Sequence, residues 1–152
     1  MSYVIPLFIH LLCAAFWVGG MATMHFAVRP AAVASLEPPL RLPFMAAALS
    51  RLFVGVSTAI AVLLATGLGL VWLHGGFARV HWSVHAMFTL GLVMMALFLH
   101  LRFAPYPRLL RAVGAHEWPA AAANLNTVRK LVSVNLVLGV LVFAIAVLGR
   151  AL

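Results

Sequence analysis

Six of the seven histidines in this chain stand in or at the edge of strongly apolar runs, with His74 closing the run at 49–74. His10 and His25 lie in the first run, and His81, His85 and His100 lie in "HWSVHAMFTLGLVMMALFLH", residues 81–100. An imidazole inside lipid is costly unless a partner holds it, so these residues are candidates for chemistry. His10 and His25 are fifteen residues apart, and so are His85 and His100. On a helix that interval is about 22 Å, with a residual rotation of about 60°. Two helices entering from the same side would therefore offer two pairs at matched depth, His10 with His85 and His25 with His100. Two facing neutral imidazoles can hold haem iron above and below the porphyrin plane. The expectation is haem b, one or two groups, ligated by His10, His85, His25 and His100. Arg29, Arg129 and Lys130 would meet the propionates by charge-assisted hydrogen bonds.

Copper is the competing reading. Met21, Met24, Met94 and Met95 fall in the same two runs, Met87 is close to His85, and Cys13 stands three residues after His10. Thioether, thiolate and imidazole together suit Cu(I), a soft ion. Methionine is also ordinary filling in apolar helices. A third reading is structural: the histidines only hydrogen-bond across helices, His74 and His81 flank a turn at the interface, and His25 and His100 reach toward it. His116 lies in a polar loop beside Glu117.

Other chemistries lack their residues. Glu37 and Glu117 are the only acidic side chains, and both stand outside the apolar runs. No intramembrane carboxylate suggests a proton-coupled carrier. There is no glycine-rich phosphate motif and no HExxH.

The elements that must position these residues are long apolar helices. The chain is 66% hydrophobic with a mean hydropathy of +1.15, far from ordinary soluble composition. Four runs reach the roughly 20 residues needed to cross a bilayer: about 3–27, 49–74, 81–103 and 128–149. The predicted fold class is all-α, an integral membrane four-helix bundle, with residues 1–152 as a single transmembrane domain. The first run lacks preceding Lys or Arg and exceeds a signal-peptide core, so it reads as a retained helix. A lone cysteine excludes a disulfide within the chain.

A net charge of +8 is distributed by side rather than clustered for nucleic acid. Arg29, Arg41 and Arg51 follow the first run, and Arg102, Arg108, Arg111, Arg129 and Lys130 lie between the third and fourth. Only Arg79 and Arg150 occupy the other side. Eight against two is a positive-inside asymmetry. It predicts an inner-membrane, multi-pass protein of bacterial type, with both termini extracytoplasmic and no nucleic-acid partner.

Between the runs, "SLEPPLRLPF" reads as an irregular connector because of its three prolines. "HGGFARVH" is a short turn, which makes the second and third helices antiparallel neighbours. "YPRLLRAV" suits an interfacial helix, and Pro119 suits an early start to the last one. Gly19, Gly20, Gly55, Ser57, Ala65, Thr66, Gly67 and Gly69 are small enough for close helix approach.

Several of these stretches resemble a known family. "IHLLCAAFWVGGM" is similar to the opening helix of CopD-type copper-resistance membrane proteins and HemJ-type protoporphyrinogen oxidases, with His10, Trp17 and Gly19–Gly20 in the shared pattern. "VRPAA" and "LSRLFVGVSTAIAVLLATGLGL" resemble the CopD-type second helix. "WSVHAMF" is similar to the third-helix start of HemJ-type proteins, with His85 at their histidine, and "VRKLVSVN" is loosely like the start of their fourth. The lysine that HemJ-type proteins carry soon after that histidine is absent; Ala86 and Met87 stand there. The resemblance implies a four-helix membrane fold and permits haem, tetrapyrrole or copper. The reading taken forward is a haem b protein performing electron transfer or redox chemistry at or across the membrane, as a membrane oxidoreductase. Its candidate partners are lipid, a quinol or a redox protein. The alternative is a copper-binding or copper-transport protein.

Overall fold

The computed structural model describes residues 3–149 and is helical throughout its apolar runs. Helix α1 spans Val4–Thr23 and continues through a π-helical turn, Met24–Val28, into α2, Arg29–Ser35. Helix α3 spans Pro38–Leu73, α4 Trp82–Phe103, α5 Pro105–Gly114 and α6 Trp118–Leu148. Four continuous segments, Val4–Ser35, Pro38–Leu73, Trp82–Gly114 and Trp118–Leu148, are long and apolar enough to cross a membrane. No strand occurs among the described residues.

The proline-rich connector is the main departure from the sequence reading. Only Leu36 and Glu37 interrupt the helices there, and α3 begins at Pro38 rather than near residue 49. Pro38 and Pro39 occupy the first turn, where a missing N–H costs no intrahelical bond. Pro43 forgoes one bond, to a carbonyl in the exposed first turn that water can satisfy. Pro119 acts in the same way, and α6 starts at Trp118, ahead of the apolar run at 128–149, the early start that Pro119 suits. At the opposite end, Gly75 and Gly76 take positive φ values of 87° and 89°, which turns the chain from α3 toward α4 within a few residues.

Helix α1 packs chiefly on α3, and α4 and α5 chiefly on α6. The two halves meet in an aromatic knot near the α5 end. Trp17 of α1 meets Phe98 of α4 edge-on at 6.2 Å between centroids, Phe98 meets Phe53 of α3 at 5.6 Å, and Phe53 meets Tyr106 of α5 at 4.9 Å. Tyr106 is buried, and its hydroxyl donates to the Ala46 carbonyl at 3.1 Å. The Arg102 guanidinium lies 5.5 Å from the Tyr106 ring centroid. Lipid is as apolar as these side chains, so close packing and interhelical hydrogen bonds hold such helices together rather than hydrophobicity. Gly139 shows how close that packing is: a Cβ there would lie 2.6 Å from Val18 Cγ2 and 3.3 Å from Met94 Cε.

Candidate functional site

His10 is half-buried on the side of α1 that faces α3, near the end carrying the Gly75–Gly76 turn. Its Nδ1 lies 2.9 Å from the Thr66 hydroxyl. That hydroxyl already donates to the Val62 carbonyl one turn back, at 2.7 Å. Two oxygens so close require the proton between them, so Thr66 Oγ1 can only accept from the ring. The His10 tautomer protonated on Nδ1 fits this contact, and it leaves a free lone pair on Nε2. Gly67 makes room for the ring: a Cβ there would stand 3.2 Å from His10 Cε1.

His25 repeats the arrangement near the α5 end with different elements. It sits in the π-helical turn, a distortion often found where a helix presents a functional residue. Its Nδ1 lies 3.2 Å from the Ser133 hydroxyl of α6, which donates to the Arg129 carbonyl at 3.0 Å. The His25 tautomer protonated on Nδ1 donates to Ser133 Oγ and leaves Nε2 bare. In metal sites, a hydrogen bond at one ring nitrogen fixes the tautomer and orientation of the other, the ligating one. His10 of α1 and His25 of the π-helical turn each make such a bond through Nδ1.

The remaining histidines differ. His85 and His100 lie exposed on the outer face of α4, and neither ring has a hydrogen-bond partner among the described residues. Phe77 covers one side of His85 at 5.8 Å between centroids. His81 caps α4: its Nδ1 accepts from the Ser83 amide at 3.4 Å and lies 3.0 Å from the Ser83 hydroxyl, in line with an interfacial role. His74 is exposed, and its Nδ1 donates to the Leu70 carbonyl at 2.7 Å. Arg29 and Arg129 are half-buried and Lys130 exposed; all three follow or flank the His25 level. No group of three or more His, Cys, Asp or Glu that could hold a metal occurs among the described residues.

Three polar residues of the interior escaped the sequence reading as site residues: Thr66, Ser133 and Asn135. Their signal was present, since each is a polar side chain within an apolar run. Asn135 is buried, its Nδ2 donates to the Met94 carbonyl at 3.3 Å, and its Oδ1 has no protein partner. Met21, Met24 and Met94 are buried in the same core, with Cys13 half-buried against it.

Four helices long and apolar enough to span a membrane, with half-buried, hydroxyl-bonded imidazoles between them, define a multi-pass membrane protein. A family model described as copper resistance protein D matches residues 46–148, more than half of the chain, and the chain belongs to that family. The match covers Thr66, His85, His100 and Ser133, and α1 with His10 and His25 lies before it. The HemJ-type side of the resemblance has no counterpart in this match. Neither a curated protein nor a solved structure matches the chain.

Proposed function

We propose that this protein binds Cu(I) within the membrane and passes it between two stations, His10 toward the extracytoplasmic face and His25 toward the cytoplasmic face. The observation that carries the reading is the pair of hydroxyl-held imidazoles on one continuous helical segment, each joined to its hydroxyl through Nδ1. Membership of the copper-resistance family supplies the metal. The stretch between the stations is soft: Cys13, Met21 and Met24 lie between them along α1, and Met94 is buried in the same core. Sulfur and neutral imidazole match Cu(I), and weak single ligands favour release as well as capture. Copper is cargo here, and no step needs it to change oxidation state. Arg29, Arg129 and Lys130 set orientation and meet lipid phosphates.

Haem b between α1 and α4, and with it a quinol or redox-protein partner and an oxidoreductase activity, lacks support. The family match favours copper. His85 and His100 are exposed on the outer face of α4 rather than turned into the core beside His10 and His25.

Anaerobic titration of the purified protein with Cu(I), against a chromogenic Cu(I) chelator, tests the proposal. Wild type should take up copper, His10→Ala and His25→Ala should each lose one site, and the double variant should lose both. A co-purifying Soret band, or copper uptake unchanged in the double variant, would overturn it.

A further inference from the structure

Among the described residues, every fully buried side-chain nitrogen or oxygen finds a hydrogen-bond partner except one, Asn135 Oδ1. Asn135 is 3% exposed, and its Nδ2 donates to the Met94 carbonyl. A bare polar atom in a membrane core is costly. Tying α6 to α4 uses the amide nitrogen alone and gives the oxygen no role.

Two contacts fix the depth of Asn135. Ser133 of α6 meets His25, and Gly139 of α6 stands against Val18 of α1, where a Cβ would lie 2.6 Å from Val18 Cγ2. Residues 133–139 therefore run antiparallel along residues 18–25, and Asn135 falls within that stretch. So does Met21, which is buried in the core that also holds Met94. Met94 reaches the same Gly139, since a Cβ there would be 3.3 Å from Met94 Cε. Three helices thus bring two thioethers and one unpartnered amide oxygen to neighbouring depths, between the levels of His10 and His25.

Ligand chemistry selects the occupant. Thioethers prefer a soft ion such as Cu(I). They are neutral, so a bound ion keeps its full charge, and the spans hold no carboxylate to offset it. The negative end of an amide dipole offsets that charge without trapping the ion. The route also requires a donor here: His10 and His25 are about 22 Å apart along the helix, far beyond direct ligand exchange. We propose that Met21, Met94 and Asn135 form a third Cu(I) station in the core, with the two sulfurs as ligands and Asn135 Oδ1 facing the ion. This inference rests on the copper reading of the two histidine stations.

Anaerobic Cu(I) titration and copper X-ray absorption of the purified protein test it. Wild type should take up three Cu(I). The His10→Ala, His25→Ala double variant should keep one, with sulfur and no imidazole around the metal. Adding Met94→Leu, which conserves volume, should abolish that last site. Adding Asn135→Leu instead should weaken it about tenfold, the low end for a group that supports a ligand set. The denaturation midpoint should then stay at or above that of the double variant, because an unpaired polar atom has left the core. A double variant whose remaining copper shows imidazole, or survives Met94→Leu, would overturn the third station. Unchanged copper affinity in Asn135→Leu with a lowered midpoint would assign Asn135 to helix packing alone and overturn its part. Two Cu(I) in wild type and none in the double variant would overturn the third station and leave the histidine stations standing. No uptake by wild type would overturn all three.

Discussion

At the scale of the residue, the chemistry of His10 and His25 is set by neighbours that contribute no ligand atom. A hydroxyl that gives its own proton to the carbonyl four residues back is free to accept from the ring, which favours the tautomer with Nε2 bare. Thr66→Val keeps the shape of the side chain and removes the acceptor. It should weaken Cu(I) binding at the His10 station about 10- to 100-fold, the usual effect of deleting such an orienting partner. Ser133→Ala should do the same at His25, with a smaller effect because that bond is longer, 3.2 Å against 2.9 Å. Chelator competition on each variant, with the other station disabled by His→Ala, measures the two separately. Equal affinity in Thr66→Val and wild type would show that the hydroxyl does not orient the ring.

At the scale of the element, the bundle depends on approach distances that small residues permit. A side chain at Gly139 would press on Val18 and Met94 at once, on two different helices. Gly139→Leu should therefore lower unfolding stability by about 1–3 kcal/mol, the usual range for overpacking. Gly19 lies exposed on α1 with nothing within 4 Å of a built Cβ, so Gly19→Leu should be close to neutral. Chemical denaturation in mixed micelles, followed by the near-ultraviolet signal of buried Trp17, compares the two. Similar losses for both variants would mean that the α1–α4–α6 contact is looser than the geometry requires. The π-helical turn belongs to this scale as well. It inserts Met24–Val28 between α1 and α2 and sets the direction in which His25 leaves the helix toward Ser133.

At the scale of the whole molecule, an even number of spans predicts both ends of the chain on one side of the membrane. The eight-to-two distribution of Lys and Arg predicts that this side is extracytoplasmic. A reporter active only in the cytoplasm should be silent at the C-terminus and active when inserted between α5 and α6. The reverse pattern would invert the direction assigned to the two stations and leave their chemistry untouched.

The apolar runs, the lone cysteine and the sidedness of the cations made the four-span helical fold legible in the sequence, because bilayer thickness and backbone hydrogen bonding leave few other solutions. The runs also showed which histidines lay in or at the edge of the membrane. Their partners were not legible. Equal spacing in His10–His25 and His85–His100 gives equal separations along two helices but does not fix direction, and direction depends on how each helix is rotated against its neighbours. Packing turns α1's histidines toward Thr66 on α3 and Ser133 on α6, and it leaves α4's histidines on the outer face. The connector between α2 and α3 was misread for a related reason. Prolines break a helix interior but suit a helix start, and only the folded chain decides at which of the two each proline stands.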